Sequence, residues 1–288
     1  MDLRAIVIGL SFALIWSSAY ATARIIVAES APILSLALRF AISGAIAVGA
    51  GLAMGQSLRL TAAQGRATLI FGLCQNGIYL GLYFVAMQWI EASLAAIIAS
   101  TMPLLVAGLG WAVKGERLPV LGMAGLFMGF AGVAVIMSAR LGSGADPLGV
   151  ALCVIGALAL AIATLTLRGA ASGGNVWIVV GLQMWVGSIS LGLAGAMLEV
   201  WHSTWSLRWL TAMAYQIVMP GLAATLLWFA LVRRIGAVKA ATFHFLNPFF
   251  GVAIAAVLLG ETVRLTDMIG VAIVMAGILG VQLSRNPT

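Results

Sequence analysis

Charged residues are scarce in this sequence of 288 residues. Only 8% are charged and 63% are hydrophobic, whereas soluble domains average about a quarter charged and about half apolar. So few charges cannot cover a surface that faces water, and the mean hydropathy of +1.14 agrees with this. The composition therefore predicts a polytopic membrane protein whose solvent is lipid.

Side chains that build metal sites and catalytic centres are also scarce. The sequence has two cysteines and two histidines. Cys74 and Cys153 lie within apolar stretches, without the spacing of a disulfide framework or of metal ligands. Because no Asp or Glu falls in the middle of an apolar stretch, an aspartyl or His–Asp catalytic pair lacks its residues. We therefore expect no enzymatic activity, no metal and no cofactor.

Long apolar stretches follow one another with short connections. A helix needs about 20 apolar residues to cross the hydrocarbon core, whereas a transmembrane barrel would show alternating segments of about 10 residues, which are missing. The sequence thus predicts an all-α integral membrane protein with ten transmembrane helices. The predicted spans are 5–23, 32–54, 67–89, 93–113, 119–138, 148–167, 176–198, 209–232, 236–259 and 265–284.

Lys and Arg are distributed unevenly between the two sides of these spans. Ten lie on the side that holds both termini and four lie on the other side. Since cytoplasmic loops carry the excess of basic residues, both termini are predicted to be cytoplasmic. The net charge of +7 then reflects topology. We expect no nucleic-acid partner, because that would need a clustered basic patch with aromatic residues on a soluble face.

One sequence pattern occurs twice. PLLVAGLGWAVKGE (103–116) returns 145 residues later as PFFGVAIAAVLLGE (248–261), each with a leading proline and a closing Gly-Glu. The sequence therefore predicts a duplication into units 1–141 (helices one to five) and 147–288 (helices six to ten). Because five spans is an odd number, the second unit would lie inverted in the membrane, and inverted repeats are typical of transporters.

The same stretches carry a resemblance to a known family. IWSSAYATARIIVAESAPILSLALRF (15–40) resembles the opening of the EamA-type domain, with a Trp before small polar residues and an Arg-Phe in the second helix. ASTMPLLVAGLGWAVKGERL and FLNPFFGVAIAAVLLGETV resemble the proline helix of that domain. As two five-helix units, essentially the whole chain resembles the drug/metabolite transporter superfamily, and it is similar to bacterial exporters of amino acids, aromatic ones included. The resemblance implies a central pocket among helices one, three, four, six, eight and nine, with helices five and ten as scaffold.

Polar and aromatic residues at membrane depth are candidates for the pathway. The candidate substrate-binding residues are Trp16, Tyr20, Asn76, Tyr79, Tyr83, Ser100, Trp228, His244 and Asn247. Tyr83 is the repeat mate of Trp228, so we expect the two rings to face each other across the pseudo-axis. The set predicts an aromatic-walled pocket with no fixed charge, suited to a neutral or zwitterionic solute with an apolar side chain. For each residue singly, the alternative is an interhelical hydrogen bond or an interfacial anchor.

Three prolines and one arginine also lie within the predicted spans. Pro103, Pro220 and Pro248 are candidate hinges, with a static kink as the alternative. Arg39 would either bind a substrate carboxylate or take a structural role, by extending outward or pairing with Glu29 or Glu91. We favour the structural role.

Glycines recur on one face of helix five and of helix ten. Gly122, Gly125, Gly129 and Gly132 share the first face, and Gly270, Gly277 and Gly280 share the second. This spacing predicts close packing of backbones in a scaffold.

These features favour a secondary transporter that exports amino acids, aromatic and other apolar ones above all, or similar small metabolites. It would work by alternating access in the bacterial inner membrane, with the lipid bilayer and a small solute as its partners. We expect flux down the solute's own gradient, because every Asp and Glu belongs to a loop or a helix end. His244 is the one group that could titrate near neutrality at membrane depth, and for it we favour a hydrogen bond to a carbonyl freed by Pro248. The alternatives are an integral-membrane enzyme that modifies lipids, or an exporter of other compounds such as nucleosides or cations. The oligomeric state stays open, and a monomer is compatible with the sequence.

Overall fold

A computed structural model describes residues 3–114, 119–142, 144–170, 175–235, 240 and 242–284 of the chain. Within these ranges the regular structure is helical. The helices are α1 (Leu3–Val27), α2 (Pro32–Ala53), α3 (Ala62–Ala86), α4 (Ala92–Ala99, then Met102–Lys114), α5 (Val120–Gly142), α6 (Pro147–Ala170), α7 (Val176–Leu198), α8 (Leu207–Ile235), α9 (Thr242–Leu246, then Asn247–Leu259) and α10 (Leu265–Ser284).

Seven of these helices, all except α4, α9 and α10, are long and apolar enough to cross a membrane, and those three contain shorter apolar helices. Large apolar side chains also point outward, with Phe127 65%, Leu193 66% and Val257 84% exposed. Apolar surface of this kind needs lipid around it. The chain is therefore a multi-pass membrane protein, while the number of ten crossings stays a prediction.

Contacts between the loops show which helix ends lie together. Ser30, after α1, forms a backbone bridge with Ser203, before α8. Gly149, at the start of α6, packs against Ile90, after α3. We call this end of the bundle the far side, and the end where α1 begins the near side. Helix α1 runs from near to far, and α6, which is its equivalent at the offset of 145 residues, runs the opposite way.

The repeat is visible in local structure as well as in sequence. Thr61 is the N-cap of α3 and accepts a hydrogen bond from Gln64 N, while Ser206, 145 residues later, is the N-cap of α8 and accepts one from Trp209 N. Both helices then contain a π-helical stretch at the same offset, Gly72–Tyr79 in α3 and Ile217–Ala223 in α8. The sequence analysis did not predict either π-helical stretch.

Helices α2 and α7 also cap each other. The Glu199 carboxylate, just past the end of α7, accepts hydrogen bonds from the backbone N–H groups of Ile33 and Leu34. In the same way, Oε1 of Gln56, just past the end of α2, accepts hydrogen bonds from the backbone N–H groups of Trp177 and Ile178 at the start of α7. The first N–H groups of a helix lack partners within it, so these contacts satisfy them and fix the two repeats together.

The glycines of α5 and α10 bring two backbones into contact. A Cβ atom on Gly277 would lie 2.4 Å from the backbone nitrogen of Gly129, and one on Gly132 would lie 2.8 Å from the backbone nitrogen of Val274. Only glycine allows this approach. The predicted close packing of helices five and ten is confirmed.

Candidate functional site

Two cavities lie in succession between the helices. The far cavity lies between α1, α2, α3, α7 and α8. It is lined by Trp16, Ala19, Tyr20, Ala23, Arg39, Phe40, Gln75, Asn76, Tyr79, Leu80, Tyr83, Phe84, Met87, Met184, Gln216, Pro220, Gly221 and Thr225. The near cavity is lined by Phe12, Trp16, Phe71, Gln75, Met102, Leu160, Thr164, Thr225, Trp228 and His244. Trp16, Gln75 and Thr225 belong to both linings and lie between the cavities.

Three tyrosines form one wall of the far cavity. The hydroxyls of Tyr20 and Tyr79 are hydrogen-bonded at 2.8 Å. The ring of Tyr79 lies 4.6 Å from that of Tyr83, close to an edge-to-face arrangement, and Tyr83 lies 6.1 Å from Tyr20. The side chain of Tyr83 is fully buried. The stripe of Asn76, Tyr79 and Tyr83 predicted on helix three therefore faces one cavity together with Tyr20 and Trp16 from α1.

A second aromatic cluster lines the near cavity. The imidazole of His244 lies edge-on to the rings of Phe12, Trp16 and Trp228, at centroid distances of 5.2, 6.2 and 5.0 Å. The expectation that Tyr83 and Trp228 face each other is wrong, because the two rings line different cavities. Repeat mates in an inverted pair exchange depth in the membrane, so equivalent positions are displaced to opposite sides of the centre.

The smaller polar candidates mostly bond to the protein itself. Nδ2 of Asn76 donates to Gln183 O at 3.0 Å, although the residue lines the far cavity. The hydroxyl of Ser100 donates to Ile97 O at 2.6 Å, and the residue lines neither of the two cavities. Nδ2 of Asn247 donates to Nδ1 of His244 at 2.8 Å, so Asn247 orients the imidazole from outside the near lining.

The three prolines take two different positions. Pro103 and Pro248, which are repeat mates, each stand second in a helical segment that follows an irregular or 3-10 stretch. Proline fits there because that N–H has no helical partner to lose. Pro220 instead lies inside the π-helical stretch of α8 and lines the far cavity. A proline at that point lacks the N–H that a regular α-helix would direct to the carbonyl four residues earlier, and the i→i−5 bonding of the π-helical stretch accommodates it.

Arg39 lines the far cavity, which corrects two expectations. Its side chain is 3% exposed, its Nε donates to Gln216 O at 3.1 Å, and its guanidinium lies 5.0 Å from the ring of Phe40. It pairs with neither expected acid, because the Glu29 carboxylate accepts hydrogen bonds from Ser206 and Thr204 and that of Glu91 contacts Arg140. The prediction of a pocket without a fixed charge is therefore wrong.

The bonds to Glu29 also affect its ionisation. Glu29 lies in the loop between α1 and α2, and the hydroxyls of Ser206 and Thr204 lower the pKa of its carboxyl. The negative charge of Glu29 is thus held by the loop that precedes α8.

Two glutamines of the site were missed by the sequence reasoning. Gln75 lines both cavities, and Gln216 lines the far cavity while its Nε2 donates to Ala19 O at 2.7 Å and to Thr22 Oγ1 at 2.8 Å. Oε1 of Gln216 is buried without a hydrogen-bond partner in the described ranges. Both residues could have been found as uncharged polar residues at membrane depth, and Gln216 also by its position four residues before Pro220.

Comparison with known proteins identifies the family. The EamA-like transporter family matches residues 3–138 and 147–283. The chain therefore belongs to the EamA-like transporter family. A crystal structure of another protein has the same fold, with a TM-score of 0.71, 24% identity and coverage of 98% of both chains.

Two bacterial relatives are similar to this chain over different lengths. The chain is 28% identical over 267 residues to the uncharacterized transporter YvbV of Bacillus subtilis (strain 168), covering 92% of this chain and 87% of that protein. It is 34% identical over 138 residues to the aromatic amino acid exporter YddG of Ancylobacter novellus, covering 48% of this chain and 47% of that protein.

Proposed function

We propose that this chain is a secondary transporter that exports amino acids, aromatic and other apolar ones above all, by alternating access. The observation that carries the proposal is the pair of cavities on either side of Trp16, Gln75 and Thr225. Equivalent helices of the two halves run in opposite directions. Helices α1, α3 and α8 contribute to both cavities, whereas α6, the repeat mate of α1, contributes to the near cavity. Exchange of conformation between the halves would open one cavity and close the other.

The arrangement in the membrane is part of the same proposal. Ten helices cross the bilayer, in units 1–141 and 147–288, and both termini lie in the cytoplasm because the near side carries most of the basic residues. On this assignment the near cavity is cytoplasmic and the far cavity faces outward. The bacterial relatives and the helical architecture favour the inner membrane, since bacterial outer membranes are spanned by barrels.

The choice of solute is supported by the walls of the two cavities. The cluster of Tyr20, Tyr79 and Tyr83 and the cluster around Trp228 offer ring faces and edges to an apolar or aromatic side chain. The similarity to the exporter YddG covers about half of each chain and supports the same class. Export of nucleosides or cationic compounds is a second candidate, because aromatic walls also accept these solutes.

Counterflow in proteoliposomes tests the proposal. Vesicles loaded with unlabelled phenylalanine are expected to take up labelled phenylalanine, with protein-free vesicles as the control, while leucine and a nucleoside compete more weakly. The purified protein in detergent is assayed in parallel for chemical change of the solute and of lipid. Turnover of lipid without solute flux would decide for the alternative of a lipid-modifying enzyme.

Variants of the walls test which residues select the solute. Alanine at Tyr79, Tyr83, Trp228 or His244 removes a ring from a cavity, and alanine at Asn247 removes the bond that orients His244. We expect these variants to change the preference for phenylalanine over leucine, and Ser138→Ala, on the exposed surface of α5, to leave it unchanged. Wild-type flux and preference in all five wall variants would refute their role.

A further inference from the structure

We propose that Arg39 and Gln216 together form a binding site for the α-carboxylate and α-ammonium groups of a zwitterionic amino acid in the far cavity. The inference rests on the proposed function and names the part of the solute that every substrate would share. The aromatic walls then contact the side chain of the solute, and the two polar residues contact its head group.

The position of Arg39 is fixed by the backbone of α8. Pro220 cannot donate to Gln216 O, and Nε–H of Arg39 donates to that carbonyl at 3.1 Å. One turn further along α2, the hydroxyl of Ser43 donates to Ile217 O at 3.3 Å. The π-helical stretch of α8 thus holds the α2 face that carries Arg39, and the guanidinium is oriented before any solute arrives.

The rest of the guanidinium is available for a ligand. In the described part of the chain, Nη1 and Nη2 of Arg39 make no hydrogen bond to the protein, and no carboxylate lies within ion-pair distance of the side chain. A buried arginine at membrane depth without a counter-ion is costly, and such residues mark pathways for charged groups. A carboxylate fits the two parallel N–H groups of a guanidinium better than any other anion of a metabolite this size.

The second group of the site is an acceptor on the side chain of Gln216, the residue whose backbone carbonyl Arg39 contacts. Both hydrogens of the Gln216 amide are bonded, to Ala19 O and Thr22 Oγ1, which leaves Oε1 as its free atom. A buried acceptor without a donor costs free energy that a ligand N–H would recover. An α-ammonium is such a donor, and it lies one carbon from the carboxylate that Arg39 would hold. A purely cationic solute would satisfy Gln216 but would be repelled by Arg39.

The repeat places this charge in one half of the protein alone. The mate of Arg39 at the offset of 145 is Met184, which also lines the far cavity. The head group of the solute therefore has one location in the site, next to α2 and α8.

A cycle of ligand and protein changes tests the proposal. Binding to purified protein in detergent is followed by tryptophan fluorescence for L-phenylalanine, phenylalaninamide, N-acetylphenylalanine and 3-phenylpropionate. Wild-type protein is expected to bind phenylalanine about ten- to a hundredfold more tightly than phenylalaninamide, which lacks the carboxylate, or N-acetylphenylalanine, which lacks the ammonium. Arg39→Gln should weaken the binding of phenylalanine by a similar factor. It should not weaken the binding of phenylalaninamide, because the repulsion of its ammonium group is removed. Arg39→Lys should give intermediate affinities.

Gln216→Met provides the second arm, with a matched control on α7. Gln183 is also buried with an Oε1 that lacks a partner, but it does not line the far cavity. Gln216→Met is expected to weaken phenylalanine and not 3-phenylpropionate, while Gln183→Met leaves both unchanged. Where a variant does not fold, as judged by its size-exclusion profile, the ligand series on wild-type protein decides.

The outcomes separate this inference from the proposed function. Equal weakening of phenylalanine and phenylalaninamide by Arg39→Gln would show that Arg39 acts on the fold alone and would overturn the inference. The inference would also be overturned if the protein exchanges phenylalanine but binds phenylalaninamide and N-acetylphenylalanine as tightly as phenylalanine. The transporter proposal would stand in that case. If wild-type protein neither binds nor exchanges any of the four probes, the amino acid substrate itself is wrong, and the inference fails with it.

Discussion

The guanidinium of Arg140 donates two hydrogen bonds to the carboxylate of Asp267, from Nε to Oδ1 at 3.0 Å and from Nη2 to Oδ2 at 2.6 Å. The two side chains are 2% and 1% exposed, and Nη1 of Arg140 also contacts Glu91. This pair joins the last turn of α5 to the first turn of α10 on the far side. Through Glu91, the loop between α3 and α4 is joined to the same arginine.

Asp267→Asn is expected to lower the free energy of unfolding by about 3 kcal/mol, because it leaves the buried Arg140 with half of its counter-charge. Unfolding of the purified protein in mixed detergent measures the loss. The matched control is Asp146→Asn, an acid on the same side whose Oδ1 accepts from Gly149 N at 2.8 Å. Asn caps a helix about as well as Asp, so a loss below about 0.5 kcal/mol is expected. Equal losses in the two variants would contradict the role of the pair.

Gly277→Ala is expected to cost about 1–3 kcal/mol of unfolding free energy, because the new methyl group would overlap the backbone of Gly129. Gly192→Ala, in α7, is the control, since nothing lies within 4 Å of its Cβ position. There alanine should stabilise the helix by about 0.5–1 kcal/mol. The same unfolding assay reports both, and a neutral Gly277→Ala would mean that α5 and α10 can separate freely.

The orientation of the chain is tested by labelling single cysteines in cells. With Cys74 and Cys153 replaced by serine, Arg208→Cys in the first turn of α8 should react with a membrane-impermeant maleimide in intact cells. Arg59→Cys, between α2 and α3, should react only after permeabilisation. Both positions are exposed. The reverse pattern would place the termini outside.

Pro220→Ala is expected to slow counterflow more than Pro103→Ala or Pro248→Ala. Alanine at position 220 restores an N–H that competes with Arg39 for Gln216 O and favours regular α-helix over the π-helical stretch. At Pro103 and Pro248 the restored N–H lies in the first turn of a helical segment and has no such competitor. Rates of labelled phenylalanine exchange compare the three, and equal slowing would assign hinge roles to all of them.

Flux is expected to follow the gradient of the solute, largely independent of protons. His244 packs against three aromatic rings and bonds to Asn247, so a structural role accounts for its contacts. The test is uptake in proteoliposomes with and without an imposed pH gradient, repeated with His244→Gln. Uphill accumulation that the pH gradient drives and the substitution abolishes would establish coupling through His244.

Some features of the site were predictable because they depend on spacing along one helix. The stripe of Asn76, Tyr79 and Tyr83 and the glycine faces of α5 and α10 follow from helical periodicity, and the structure places both as expected. The position of Arg39 was not predictable in this way. Its direction depends on how α2 is rotated against α8, and the contact of Arg39 with Gln216 O that reflects this rotation lies between helices far apart in sequence.

The π-helical stretches were missed for a related reason. An extra residue in a turn rotates the following side chains by about 100°, but this shift is hidden in a helix that is apolar on most faces. Gly72–Tyr79 and Ile217–Ala223 therefore look like ordinary helix in the sequence. Their agreement at the offset of 145 becomes visible only in the backbone. Pro220 accounts for the π-helical stretch of α8. The equivalent position in α3 is Gln75, so the π-helical stretch there forms without a proline.

The matched caps and π-helical stretches have a consequence for the energy balance of the transport cycle. In an inverted duplication with two identical halves, the two end states would be degenerate, because each is the other turned over. Thr61 and Ser206, and the two π-helical stretches, contribute almost equally to both states. The difference in population between the end states must therefore come from positions where the halves differ, and Arg39 opposite Met184 is the largest such difference in charge within the far cavity.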